Sequence, residues 1–231
     1  MPRCYAHLQF ARQMRIMLDI YKSDPMYKDY LIGALLPDLA EEDKTGLIHA
    51  KKCDLHFYDN NISANYIVPQ IECFIAKYGK ERIKSEYWLR GYLTHLALDK
   101  AHNSLWNTRV LRDGCDDYHC YILRNNEITP YFVESANKMR DLDIIRLEHM
   151  CKKNIVEGRL ILPDMRDATH ELSIELPKIG IYKDIANGII KNYGDVPEEI
   201  AEPQILTDAD FLNMFVQATQ IVMNVWQYIR E

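Results

Sequence analysis

The sequence predicts an all-α fold, organised as a single multi-helix domain over residues 1–231. Apolar residues recur at helical intervals along most of the chain, as in Leu8, Ala11, Ile16 and Ile20, and this spacing places side chains on one face of a helix. Alternation of apolar and polar residues, the mark of a half-buried strand, is weak everywhere. No internal repeat, low-complexity linker or break in composition divides the chain, so one domain is expected.

The elements are expected in the following order. Residues 5–21 form a first helix, and a short second helix ends at about Leu36, because Pro37 disfavours helical backbone in the residue before it. Residues 39–62 are polar and aperiodic, and we expect a long ordered loop there, a type of segment that is often functional. Further helices are predicted over residues 64–78 (ending at Gly79), 80–107, 129–154 and 207–230.

Two of these helices have recognisable starts. Thr129-Pro130 opens a helix that is expected to run to about Asn154. The last helix opens with a capping-box pattern, in which the side chains of Thr207 and Asp210 each accept a hydrogen bond from the other's backbone amide. Both starts are predicted from residue type and spacing alone, without any assumption about tertiary contacts.

Composition narrows the classes of function. The 48% hydrophobic and 27% charged residues are those of a folded globular chain, and the net charge is -6 at neutral pH. An acidic chain is unsuited to non-specific contacts with nucleic-acid phosphates, so no stable nucleic-acid binding is expected. A small phosphorylated substrate remains compatible with this charge, because a bound metal ion inverts the local electrostatics.

Nothing in the sequence predicts export or membrane insertion. The start Met1-Pro2-Arg3 leads into an amphipathic stretch, and no apolar run reaches the ~18 residues of a transmembrane segment. The six cysteines are scattered without a Cys-x-x-Cys pair, which disfavours a zinc ribbon. We therefore expect a cytoplasmic protein with reduced thiols, and the sequence leaves its oligomeric state open.

The best chemical signal lies on the helix over 80–107. His95 and Asp99 are four residues apart and His102 follows three residues later, so all three can share one helical face. Such a face offers a metal ion imidazole nitrogens and a carboxylate oxygen from a rigid element. The spacing alone is also that of an ordinary His–Asp contact on a helix surface, which is common.

Three further segments carry candidate metal ligands. Asp38 follows Pro37 after an apolar helix, a position that suits a metal-binding carboxylate, although Pro-Asp is also a frequent turn pair. The polar loop carries His49 and His56, and each of them is either a ligand or a solvated side chain. His7 lies in the first helix, where a lone histidine is more often a partly buried side chain.

The order of these pieces resembles that of the zinc-dependent phospholipase C family, in particular its small intracellular bacterial members. A histidine near the start, Gly-x-x-x-Pro-Asp, a loop His-Phe and Gly-Tyr-x-x-His-x-x-x-Asp follow one another within residues 1–107. Fainter similarity surrounds Met139-Arg140-Asp141-Leu142. The resemblance implies a helical fold of the phospholipase C and zinc nuclease type, built around a cluster of zinc ions.

Carried over position by position, the resemblance assigns metal-ligand roles to His7, Asp38, His56, His95 and Asp99. Asp38 would bridge two ions and is the candidate catalytic carboxylate. His49 rivals His56 as the loop ligand, because its distance from Asp38 along the chain is also suitable, and His102 is a further candidate ligand. Secreted family members add a freed N-terminal tryptophan and a late His-x-x-x-Glu pair, which this chain lacks. We therefore expect one or two zinc ions, with three as the upper limit.

The function that the resemblance implies is that of a metal-dependent, phospholipase C-like hydrolase acting on a phosphoester or phosphodiester. Zinc lowers the pKa of bound water to about 7, and Asp38, Asp54 or Asp59 can accept its proton. The expected substrate is a small phosphoester or a lipid head group. The alternative is a non-catalytic, metal-stabilised helical binding module, which the missing late ligands favour. No His-Asp dipeptide, His-Glu-x-x-His motif or glycine-rich phosphate loop indicates another hydrolase class.

Overall fold

The computed structural model of the chain is mostly helical. It describes residue 2 and residues 4–41, 52–58, 68–112, 118–124, 126–157 and 202–231. The described helices, in chain order, are α1 (Cys4–Met14), α2 (Tyr27–Gly33), α3 (Leu36–Glu41), α4 (Lys52–Leu55), α5 (Ile71–Tyr78), α6 (Lys80–Ser85), α7 (Tyr87–Arg109), α8 (Val133–Glu157) and α9 (Asp208–Arg230). Between α7 and α8 lie three strands, β1 (Val110–Leu111), β2 (His119–Arg124) and β3 (Glu127–Phe132).

The three strands form a small antiparallel sheet in the order β1-β2-β3, so the expectation of an all-α fold is wrong for this part of the chain. β2 and β3 pair in register along their whole length as a hairpin. Asn126, in the turn between them, has a φ of 64°, a left-handed conformation that asparagine tolerates better than most residues. Cys120 and Ile122 on β2 are buried and attach the hairpin to the core.

The predicted helix start at Thr129-Pro130 is also wrong. Both residues lie in β3, and α8 begins only at Val133. Proline has no amide proton and is tolerated in a sheet at an edge strand, which is the position of β3. The strand forms because its pairing with β2 is a tertiary interaction, and such interactions override local helix signals.

Other boundaries follow the local signals more closely. α9 begins with the predicted capping box, since Thr207 accepts a hydrogen bond from the amide of Asp210 and the Asp210 carboxylate accepts one from the amide of Thr207. Gly79 ends α5 with a φ of 81°, as glycine often does at a helix C-terminus. The predicted helix over 80–107 is divided at Glu86, whose extended backbone separates α6 from α7.

The N-terminal predictions need three corrections. The helix expected over 5–21 is shorter, since α1 ends at Met14 and the chain after it forms turns. Pro37 does not end a helix but lies in the first turn of α3, where its missing amide proton is not needed for a helical hydrogen bond. Of the loop expected over 39–62, residues 42–51 and 59–62 lie outside the described residues, residues 39–41 belong to α3, and residues 52–55 form α4.

α7 is the central element of the fold, buried along most of its length from Trp88 to Trp106, with α1, α2 and α9 packed against it. Two glycines allow α2 and α7 to touch backbone to backbone. A Cβ on Gly33 would collide with the backbone of Trp88, and one on Gly91 with the carbonyl of Tyr30. The C-terminal end of α2 is therefore held beside the N-terminal part of α7. In the part of the chain that the structure describes, no helix combines the length and apolar character needed to cross a membrane.

Candidate metal centre

Five side chains from four segments of the chain converge at one place. They are His95 and Asp99 on α7, His7 on α1, Asp38 in α3 and His56 just after α4. These are the five residues expected from the sequence as metal ligands. Their donor atoms fall into two overlapping groups of three residues, and within each group the atoms lie within 4.8 Å of one another.

α7 fixes the two central donors. His95 and Asp99 are four residues apart, so they lie about one helical turn from each other on the same face. The Nε2 atom of His95 is 3.3 Å from Oδ2 of Asp99, and both side chains are 0% exposed. The reading of this pair as an ordinary surface contact is therefore wrong, because neither residue reaches the surface.

The carbonyl of Ala34 determines which nitrogen His95 offers. Nδ1 of His95 lies 2.8 Å from this oxygen, and a carbonyl oxygen only accepts hydrogen bonds, so Nδ1 carries the proton. In the neutral ring, Nε2 is then left with its lone pair directed at the carboxylate cluster. Backbone carbonyls commonly orient metal-binding histidines in this way. The ring of His7 stacks on that of His95 with a centroid distance of 3.8 Å.

Each carboxylate presents its two oxygens to different histidines. Asp99 places Oδ2 3.4 Å from Nε2 of His56 and Oδ1 3.6 Å from Nε2 of His7. Asp38 does the same, with Oδ1 3.4 Å from His56 and Oδ2 3.7 Å from His7. One oxygen of each carboxylate therefore faces His56 and His95, and the other faces His7. This is the arrangement expected of carboxylates that bridge two metal positions.

The distances in the cluster are those of ligands around a metal ion. The six histidine–carboxylate separations run from 3.3 to 3.8 Å, beyond the about 2.7–3.2 Å of a good N–H···O hydrogen bond. Ligands bonded to zinc at about 2.0–2.2 Å in tetrahedral geometry are about 3.4 Å apart. Both ring nitrogens of His7 and both carboxylate oxygens of Asp99 are buried without a hydrogen-bond partner among the described residues. Buried polar atoms of this kind call for a ligand.

The electrostatics of the cluster leave its carboxylates ionised and His7 neutral, whereas His95 holds its proton more tightly than usual. Burial, assisted by the nearby His95, lowers the pKa of His7 to about 3, so His7 is neutral at physiological pH. Burial also lowers the pKa of His95, but Asp38 and Asp99 outweigh it and the net pKa is raised. Burial raises the pKa of the two carboxylates, but His95, His56 and His7 together outweigh it, so the pKa of Asp38 falls to about 2 and that of Asp99 is also lowered. Both carboxylates are ionised at neutral pH.

The cluster is open to the outside on one side. The side chain of Asp38 is 17% exposed, whereas those of His7, His56, His95 and Asp99 are all 0% exposed. Tyr58 stacks on the ring of His56 with a centroid distance of 5.3 Å and so forms part of the surroundings. Among the five donors, Asp38 is therefore the one that a small molecule can reach from solvent.

Two predicted ligands differ from the other five. His102 is fully buried on α7, but it belongs to neither donor group, and its Nδ1 contacts Asn103 at 3.2 Å and Arg140 at 3.5 Å. Its Nε2 has no hydrogen-bond partner among the described residues. His49, the rival of His56, lies outside the described residues, and the comparison between the two stays a prediction.

Arg140 was not recognised as a functional residue from the sequence. It lies on α8, donates from Nη2 to Oδ1 of Asn103 at 2.8 Å, and stacks over the ring of Trp106. Asn103 follows Asp99 by four residues, so helical spacing alone places it on the ligand-bearing face of α7. Arg140 joins that face only through tertiary packing, which no local pattern reveals.

Comparisons with known proteins identify no relative of this chain. Searches against protein-family models, curated proteins and solved structures each found no match. The resemblance to the zinc-dependent phospholipase C family therefore stays a prediction that rests on the motifs alone. The geometry of the donor cluster stands independently of that resemblance.

Proposed function

We propose that this protein is a metal-dependent hydrolase of phosphoesters, with zinc held by His7, Asp38, His56, His95 and Asp99. The observation that carries the proposal is the convergence of three imidazole Nε2 atoms and two ionised carboxylates at separations of 3.3–3.8 Å. Burying five such groups together costs free energy unless the charges are paired or coordinate a metal ion, so their convergence supports a metal site.

The chemistry of the donors supports zinc. Three imidazole nitrogens are unsuited to magnesium or calcium, which prefer shells made of oxygen atoms. The absence of thiolate from the two donor groups disfavours copper(I) and iron–sulfur centres. Imidazole and carboxylate donors together are typical of catalytic zinc sites.

The donor atoms divide into two sets. The first set contains Nε2 of His56 and His95, Oδ1 of Asp38 and Oδ2 of Asp99. The two nitrogens are 3.2 Å apart, and each of them lies 3.3–3.8 Å from the two oxygens. His7 and the two remaining carboxylate oxygens offer a smaller second set. We propose that the first set binds the tighter ion and that a second, weaker ion is held beside His7.

Hydrolysis is proposed from the access to this centre and from its chemistry. Zinc lowers the pKa of bound water to about 7 and so supplies hydroxide at neutral pH. Asp38 is ionised and is the one partly exposed member of the five. When only the first set is occupied, Oδ2 of Asp38 carries no metal and can accept a proton from water on the open side. The buried residues His95 and Asp99 hold the donor geometry and exclude bulk water from the other side.

Metal content and turnover test the proposal together. Purified protein should contain one or two zinc ions per chain by elemental analysis, and it should hydrolyse a chromogenic phosphodiester such as bis(p-nitrophenyl) phosphate. A chelator should abolish turnover and added zinc should restore it. Asp38→Asn should lower turnover strongly, whereas Asp141→Asn, which neutralises an exposed carboxylate on α8, should leave it unchanged. A protein that neither contains nor takes up zinc would overturn the proposal.

A non-catalytic, zinc-stabilised binding module is the second candidate. The observation that favours it is the 0% exposure of four of the five donor side chains, which leaves little room for a substrate. This candidate expects the same zinc content and the same stabilisation by zinc. It differs in turnover: no phosphomonoester or phosphodiester, including p-nitrophenylphosphorylcholine, would be hydrolysed above the rate measured in chelator.

A further inference from the structure

Arg140 lies one helical turn beyond the metal donors, on the same side of α7. Its Nη2 donates to Oδ1 of Asn103 at 2.8 Å, and Asn103 follows Asp99 by four residues, or about 6 Å along the helix axis. The guanidinium also stacks over Trp106, with Cζ 5.0 Å from the ring centroid. These contacts fix a planar cation at a defined distance from the carboxylate of Asp99.

This guanidinium has no carboxylate partner among the described residues. Arg109 on α7 and Arg146 on α8, by contrast, form ion pairs with Asp210 and Asp208 respectively. The nearest described polar partners of Arg140 are neutral, and its Nε is buried without a hydrogen-bond acceptor. A partly buried arginine stays protonated, and leaving such a charge without a counterion is costly. Among the described residues no carboxylate pairs with this guanidinium, so an anionic ligand would stabilise it.

The contacts of Arg140 connect it with the donor cluster. Its Nη2 bonds to Asn103, which lies one turn from Asp99 on the same face of α7. Burial lowers the pKa of Arg140, and Tyr58 and Asp99 are the groups that offset the effect most. Tyr58 in turn stacks on His56, one of the proposed ligands. The guanidinium therefore lies within electrostatic range of Asp99. If zinc neutralises Asp99, Arg140 is left with still less negative charge nearby.

We propose that Arg140, held by Asn103 and Trp106, binds the phosphoryl group of a ligand whose other oxygens lie at the metal centre. The inference deepens the proposed function and rests on it for the position of the metal. A phosphoryl group carries several anionic oxygens, so one can meet the metal centre while another accepts from Arg140. The planar guanidinium fits phosphate oxygens better than an ammonium does, because it donates two parallel hydrogen bonds.

Calorimetric titration of the zinc-loaded protein with inorganic phosphate tests this site. Arg140→Gln should raise the dissociation constant about tenfold to hundredfold, the loss expected for charge-assisted hydrogen bonds, with unchanged zinc content. The matched control is Lys138→Gln, which removes a positive charge from the same helix where Lys138 pairs with Glu134 on the surface. Phosphate affinity should be unchanged in the control.

A second variant acts without altering Arg140 and covers the case in which Arg140→Gln fails to fold. Asn103→Asp is nearly isosteric and places a carboxylate against the guanidinium, so it should compete with phosphate and weaken its binding by a similar factor. Repeating the titration with the soluble lipid dihexanoylphosphatidylcholine shows whether a lipid head group is preferred to free phosphate. Either preference supports a phosphoryl site, provided that Arg140→Gln weakens the binding.

The outcomes separate this inference from the proposed function. Phosphate binding that is absent in the zinc-loaded native protein, or equal in native protein and Asn103→Asp, would overturn the role of Arg140. Zinc-dependent turnover of bis(p-nitrophenyl) phosphate would stand in that case. Conversely, phosphate binding that depends on Arg140 in a protein without any turnover would support the anion site and defeat the hydrolase.

Discussion

His95 donates its Nδ1 proton to the backbone carbonyl of Ala34 across 2.8 Å, which joins the middle of α7 to the residue that follows α2. The contact is possible because Gly33 and Gly91 allow the two helices to meet without intervening side chains. The orientation of a proposed metal ligand thus depends on two glycines that carry no chemistry of their own. Substitutions at these glycines should affect stability and the metal site together.

Gly91→Ala should destabilise the fold by about 3 kcal/mol or more, because its Cβ would collide with the carbonyl of Tyr30, and overpacking against a backbone atom cannot be relieved by a rotamer change. Urea unfolding measures the loss, and zinc content should fall with it. Gly79→Ala is the control: its Cβ meets no atom within 4 Å, so only its backbone conformation matters. With φ 81° and ψ 151° that conformation is almost restricted to glycine, and a loss of about 1–3 kcal/mol is expected. Equal losses in the two variants would contradict close contact between α2 and α7.

His56→Ala should lower zinc content more than His49→Ala. Nε2 of His56 lies 3.4 Å from an oxygen of each carboxylate, so its removal takes a donor from the four-donor set. Elemental analysis of both variants, with the exposed His119→Ala as a control that keeps its zinc, gives the comparison. A His49→Ala protein without zinc beside a fully loaded His56→Ala protein would reverse the assignment.

Asp99→Asn should remove most of the stabilisation that zinc provides. The substitution keeps the shape of the side chain but removes the charge that two donor sets share. At a free zinc concentration of 1,000 times Kd the native protein gains about 4 kcal/mol from binding, and the variant should lose most of this gain. Melting temperatures of both proteins in zinc and in chelator test the point. A difference of the same size in both conditions would show that Asp99 acts through packing alone.

Zinc affinity should fall as the pH is lowered from about 8 to 6. Burial lowers the pKa of His95, but Asp38 and Asp99 outweigh it, so this histidine holds a proton to higher pH than usual. Zinc must displace that proton, and affinity should fall up to about tenfold per pH unit below the raised pKa. In chelator the sign is opposite, since the raised pKa adds stability that is full below pH about 6.5 and is lost as the pH rises. Competition with a chromophoric chelator measures the affinity, and a flat profile would count against His95 as a ligand.

Asp143→Ala should destabilise the fold by about 3 kcal/mol without altering zinc content. The buried carboxylate on α8 accepts hydrogen bonds at 2.8–2.9 Å from the consecutive amides of Gln204, Ile205 and Leu206, just before α9. Hydrogen bonds to a charged group are worth about 1.5–3 kcal/mol each, and their loss is only partly regained through water. Asp141→Ala, an exposed neighbour, should change stability by no more than about 0.5 kcal/mol. Urea unfolding of both variants tests whether α8 anchors the start of α9 in this way.

Local signals and the order of motifs predicted the capping box and the proximity of five side chains, whereas metal binding by these five stays a prediction. The capping box of Thr207 and Asp210 depends on four consecutive residues only, and the structure confirms it. His95 and Asp99 share a face because helical spacing requires it. That His7, Asp38 and His56 would join them followed only from the order of motifs, since no spacing links residues on separate helices.

The failures share a physical cause, which is dependence on contacts between distant parts of the chain. Thr129-Pro130 has the residue types of a helix start, but its extended conformation is stabilised by pairing with β2, which the local sequence does not reveal. Glu86 divides the long helix at a point where Arg82 and Trp88 both donate to its carboxylate. The proposed role of Arg140 depends on its packing against α7. None of these contacts produces a periodic pattern in the sequence.

The four segments that supply the donor cluster have a consequence for how the chain folds. An ion bound to residues 7, 38, 56, 95 and 99 would close several loops of the chain at one point, as a set of cross-links does. The entropy of loop closure grows only slowly with loop length, so most of its cost is met once the first distant donor joins α7. Each later donor then arrives on a chain already confined near the site. Assembly of this centre should therefore be cooperative, with the segments that carry His7, Asp38 and His56 packing onto α7 together.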